Sequence, residues 1–134
     1  MCIIDLDYNC LNHFPLPAKL EKTLSDFMRT LEEKVNFDPY AGRKLYSHLW
    51  ELRYENLSVD VGGHHVIYGE LEDADAYNWV TKVKVASAKI GFDFEEYPGG
   101  ADEFMEEFHK FFNDPGRFTY TPVICARGTR PMED

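Results

Sequence analysis

The sequence predicts an α+β fold: an antiparallel or mixed sheet of about five strands with three amphipathic helices packed on it. Two observations carry this. Three stretches repeat apolar residues at three- and four-residue steps, the spacing of one helix face. Between them lie short runs that alternate apolar and polar residues, the pattern of a half-buried strand, bounded by Pro, Gly, Asn and Asp.

Each element follows in order. Residues 2–8 alternate Ile4, Leu6 and Tyr8 with Asp5 and Asp7, as a half-buried strand does. Residues 9–17 read as a connector stiffened by Pro15 and Pro17. A helix over 17–34 follows, with Leu20, Leu24, Phe27, Leu31 and Val35 along one face. Asp38 and Pro39 suit the start of a second helix, reaching residue 54, with Leu45, Leu49 and Leu52 as its buried line. Gly42 weakens its first turn. Leu57, Val59 and Val61 then alternate up to Gly62-Gly63, so 57–71 reads as a β-hairpin. Residues 78–90 fit both periods. Trp79, Val83, Ala86 and Ile90 have helical spacing, but the density of β-branched residues favours a strand over 80–87. Phe92 to Glu95 alternate as another strand. A third helix over 101–112 follows Pro98-Gly99-Gly100, with Phe104, Phe108 and Phe111 on one face. A last strand covers 118–126, and 128–134 reads as a loose tail.

The 134 residues suit a single domain, and ten Phe, eight Tyr and two Trp can fill its core. No linker or internal repeat divides them. The formal net charge is −10, from 24 acidic and 14 basic residues. The excess is uneven: residues 70–114 hold twelve acids against four bases. Binding of nucleic acid needs cations to neutralise phosphate, so direct contact with nucleic acid is not expected. The acidity fits a soluble, self-repelling surface, or a patch complementary to a basic protein partner. No run approaches a membrane span, and no basic, apolar leader opens the sequence. Three cysteines cannot all pair internally, and no CxxC occurs, so a reduced, cytoplasmic chain is expected.

The segment Ile3-Ile4-Asp5-Leu6-Asp7 resembles the opening motif of haloacid-dehalogenase-type phosphotransferases. There, two carboxylates two residues apart hold Mg²⁺ and the first attacks phosphorus. Asn9 stands where that motif has Thr or Val, and the doubly wound sheet it requires is not visible. Asp5 and Asp7 are thus candidate metal ligands that also fit the wet side of a strand. Neither a metal nor another cofactor is implied elsewhere. His64 and His65, with Glu70 and Glu72 downstream, are the candidate catalytic group. Neighbours in a strand point to opposite faces, so the two imidazoles are not expected to share a metal. Cys2 and Cys125 read as small buried hydrophobes, and Cys10 is close enough to His13 for contact in a turn.

The candidate protein-binding surface combines Glu70, Glu72, Asp73 and Asp75 with Tyr77, Glu95 and Glu96. Aromatic anchors ringed by charge are the anatomy of an interface. The reading that follows is a non-enzymatic acidic module that inhibits or antagonises a basic nucleic-acid-binding or nuclease protein. A small hydrolase or transferase using His64 or His65 is the first alternative. A small-ligand binding or homo-oligomeric module is the second.

Overall fold

A computed structural model describes residues 1–8 and 12–131. The chain is α+β, in the order β1 (Cys2–Leu6), β2 (His13–Phe14), α1 (Ala18–Val35), α2 (Ala41–Glu51), β3 (Glu55–Tyr68), α3 (Asp73–Ile90), α4 (Gly100–Phe112) and β4 (Phe118–Thr129). The described residues form four helices and one four-stranded antiparallel sheet, where the sequence predicts three helices and about five strands. β4 organises the sheet. It takes β1 in the register Cys2↔Arg127 to Leu6↔Val123, and β2 at His13↔Thr119 and Phe14↔Phe118. β3 also pairs with β4.

The differences from expectation have local causes. Residues 78–90 are helical, not a strand, because helical spacing buries Trp79, Val83, Ser87 and Ile90 on one side. Gly91 ends α3 in the left-handed region at φ 58°, donating to Ala88, while Phe92 donates to the Ser87 carbonyl. The helix-propensity cost of a few valines, about 0.5 kcal/mol each, is smaller than the gain from burying that stripe. The hairpin expected over 57–71 is instead one continuous strand. Gly62 and Gly63 lack the positive φ that a tight turn needs, and the chain turns at Gly69, φ 69°. Phe92 to Glu95 form no strand. Their alternation serves aromatic packing: Phe92 meets Phe27 at 5.3 Å and Phe94 at 4.9 Å, and Phe94 meets Phe104 at 4.8 Å. β2 lies in the expected connector, and β4 runs into the expected tail as far as Thr129.

The described residues gather into two compact units. The first takes residues within 1–12, 38–66 and 120–134. Its core is Leu45, Leu49 and Ala126, with Ile3, Tyr54, Leu57 and Ile124 against them. The first turn of α2 lies on β1 so closely that a Cβ on Gly42 would sit 2.9 Å from the Leu6 carbonyl oxygen. Gly42 is therefore there for close approach. α2 stops because Arg53 takes a left-handed conformation, φ 59°, and Leu52 is left exposed.

The second unit holds residues 13–37 and 67–119. α1, α3 and α4 share a core built on Leu20, Leu24, Trp79, Phe104, Phe108 and Phe112. His13 is held in it by Trp79, Phe111 and Phe112, whose rings lie 5.2–5.6 Å away, and its Nδ1 lies 2.8 Å from Thr119 Oγ1. Lys34 donates from the end of α1 to the Ile90 carbonyl, capping the negative end of α3.

Candidate protein-binding surface

Glu70, Glu72, Asp73, Asp75 and Tyr77 fall together in the second unit, across the start of α3. Position explains part of this. Carboxylates are favoured at a helix N-terminus, where unpaired backbone N–H groups carry partial positive charge. None caps the helix through a side-chain hydrogen bond, however. Among the described residues, Glu70, Glu72 and Asp73 have no ion-pair partner. Tyr68 and Tyr77 flank them at 72% and 71% exposure, the most exposed aromatic rings among the described residues apart from Phe14.

Glu95 and Glu96 do not join this group. They lie beyond the other end of α3, an 18-residue helix that spans about 27 Å. Glu96 accepts from Lys22 at 2.5 Å, and Lys22 also meets Asp26 at 3.1 Å. With Arg29 and Glu33 these residues line a cleft of about 320 Å³ whose charges are mixed. Glu96 is thus largely neutralised within the chain.

A larger groove runs along α4. It encloses about 870 Å³ between Pro15, Leu16 and Pro17 on one side and Glu103, Glu106, Glu107, Lys110, Phe111 and Asp114 on the other. Its acids follow from helical spacing. Phe104, Phe108, Phe111 and Phe112 take the buried face, so 103, 106, 107 and 110 share the other. Two of the acids already serve the fold. Glu103 accepts the Gly99 N–H at 2.7 Å and Lys19 at 3.2 Å, and these hold its carboxyl below the usual range. Glu107 lies 4.0 Å from the same Lys19. Glu106 and Asp114 have no ion-pair partner among the described residues, although Asp114 Oδ1 accepts the Gly116 N–H. The groove thus combines an apolar strip, Pro15, Leu16, Pro17 and Phe111, with a margin on which acids outnumber the single lining base, Lys110. In the sequence these acids belong to the charged third of the chain, and composition alone does not disclose the groove. The 103/106/107/110 spacing opposite the Phe stripe is the signal that marks it.

A third cavity, about 580 Å³, is lined by Phe92, Phe94, Met105 and His109 with parts of α3.

The proposed catalytic pair is divided between units: His64 and His65 belong to the first, Glu70 and Glu72 to the second. The two imidazoles do not diverge as strand neighbours are expected to. Their ring centroids are 4.2 Å apart, tilted by 56°. Among the described residues, no three His, Cys, Asp or Glu side chains gather as a metal site would require. Asp5 and Asp7 have separate roles. Asp5 is exposed and accepts the Leu6 N–H at 2.7 Å. Asp7 is buried and engaged by Arg43 through its backbone N–H, Nε and Nη2, at 2.8–3.2 Å. Cys2 is exposed and Cys125 half-buried, so neither is the buried hydrophobe expected. Cys10 lies outside the described residues. No helix among them is long and apolar enough to cross a membrane.

No protein-family model matches the chain, and neither does any curated protein.

Proposed function

We propose that the chain is an acidic protein-binding module that captures a basic segment of a partner, and so antagonises a nucleic-acid-binding or nuclease protein. The groove on α4 carries this reading. Its apolar strip can seat an aliphatic or aromatic anchor, while Glu106 and Asp114 place carboxylates without a salt bridge among the described residues at the margin. Apolar burial supplies affinity in such an interface, and charge at the rim supplies selectivity and association rate. The carboxylates and tyrosines at the start of α3 provide a second contact region in the same unit.

Affinity capture from native lysate, washed over a range of salt, tests this. The wild-type chain should retain a basic protein, with retention falling as salt rises. The double reversal Glu106→Lys with Asp114→Lys should weaken capture at least about tenfold, the effect of losing about 1.4 kcal/mol. Reversal of Glu70, Glu72, Asp73 and Asp75 measures the contribution of the α3 region separately. Capture unchanged by both sets of reversals, with unchanged salt dependence, rules the reading out.

A further inference from the structure

Cys2 and Cys125 lie on neighbouring strands of the first unit with their sulfurs 3.4 Å apart. The register explains the meeting. Cys2 is opposite Arg127 and Ile4 is opposite Cys125, so the two cysteines are diagonal neighbours on one face of the β1–β4 pair. That face is open: Cys2, Ile4 and Arg127 are exposed, whereas Ile3, Ile124 and Ala126 belong to the core side. Two thiols in contact on a solvated strand pair are placed to be joined when an oxidant reaches them. Bond formation needs the sulfurs to close from 3.4 Å to about 2.05 Å.

We propose that Cys2 and Cys125 are a thiol modification site that closes to an intramolecular disulfide, clamping β1 to β4, when a low-molecular-weight disulfide is present. The Cys2 thiolate attacks one sulfur of the small disulfide and releases one small thiolate. The Cys125 thiolate then attacks the Cys2 sulfur of the mixed disulfide and releases the second. The protein loses two thiol hydrogens as it is oxidised, and the small disulfide is reduced to two thiols. The order follows from access: Cys2 is exposed and Cys125 half-buried. The Cys2 sulfur, and then burial, push the Cys125 thiol up, against the opposing pull of Arg127. In a reducing compartment the pair rests as a dithiol.

The test is incubation of the reduced full-length chain with oxidised glutathione, followed by intact mass and non-reducing peptide mapping. The expected product joins the Cys2 and Cys125 peptides with the loss of two hydrogens and keeps no glutathione on either of these two residues. Because the cross-link closes most of the chain into a loop, its melting temperature should rise by roughly 5–15 °C and fall back on reduction. Cys125→Ser should stop at a stable Cys2–glutathione adduct. Cys10→Ser should leave the cross-link intact, and the wild-type peptide map gives the same answer should that variant fold poorly. A glutathione adduct persisting on Cys2 or Cys125 of the wild-type chain, both thiols left unreacted, or a cross-link to Cys10 in place of Cys125, overturns the proposal.

Discussion

Arg43 grips the Asp7 carboxylate from its side chain and its backbone at once: Nε and the backbone N–H reach Oδ1 at 2.9 and 3.1 Å, and Nη2 reaches Oδ2 at 2.8 Å. The guanidinium also lies over the Tyr40 ring, 4.6 Å from its centroid, and Tyr40 stacks on Tyr8 at 5.6 Å. This ties the end of β1 to the first turn of α2. Arg43's hydrogen bonds hold the Asp7 carboxyl below its usual range, with burial opposing them.

Asp7→Asn keeps the shape and removes the charge. We expect it to lower unfolding free energy at neutral pH by about 1–3 kcal/mol, toward the lower end because Arg43 is half exposed. The pH dependence has a definite sign. A carboxyl whose folded pKa is depressed stabilises the fold above its unfolded value, about 3.9, and loses that contribution as pH falls through the folded value. Wild type and Asp7→Asn should therefore converge in urea titrations as pH drops below about 4. A gap that stays constant down to pH ~2 would show that the charge is not the source.

Gly42 supplies a test in which two effects oppose. Helix propensity alone favours Gly→Ala by about 1 kcal/mol. The added Cβ would, however, lie 2.9 Å from the Leu6 carbonyl oxygen and 3.1 Å from Asp7 Cβ. Overpacking against backbone costs about 1–3 kcal/mol, so the clash should win. Gly42→Ala is expected to unfold at lower urea than wild type. A more stable variant would mean that α2 can lift from β1 without loss.

What the sequence disclosed follows from how local each signal is. α1 and α4 were legible because their apolar stripes and their breaks agree, and both match the expected spans within about a residue at each end. α3 is ambiguous in the sequence because Val80, Val83 and Val85 favour a strand locally, while the burial of Trp79, Val83 and Ile90 that decides the matter is tertiary. β3 was misread because Gly-Gly is a turn signal only when the chain has no long partner to follow, and β4 provides one. The acidity of 70–114 was plain in composition. Its division among the start of α3, a mixed-charge cleft and the α4 groove depends on helix packing. The contact between Cys2 and Cys125 is set by strand register across nearly the whole chain, which no local window contains.

Arg117 is the largest fully buried side chain, 1% exposed, yet no carboxylate meets it as an ion pair among the described residues. Its Nε donates to the Phe112 carbonyl at 2.6 Å and its Nη2 to the Gly69 carbonyl at 3.3 Å, while Nη1 is buried with no hydrogen-bond partner. The first bond satisfies the end of α4, where carbonyls are left over and negative potential gathers. Burial lowers the Arg117 pKa, partly offset by Asp75 and Asp114, but a guanidinium stays charged across the accessible range. Two costs therefore compete on substitution. Arg117→Met removes the desolvated charge but leaves the buried Phe112 carbonyl without its donor, and we expect a net loss of about 2 kcal/mol. Arg117→Lys keeps a charge but loses the planar fork that donates to the Phe112 and Gly69 carbonyls together. Burial should depress the new ammonium's pKa, so the folded state binds fewer protons than the unfolded state. That variant should gain stability as pH rises toward about 10, whereas wild type and Arg117→Met should not. Chemical denaturation of the three proteins at neutral and alkaline pH separates these effects. Arg117→Met as stable as wild type would mean that removing the buried charge fully offsets the lost carbonyl bond.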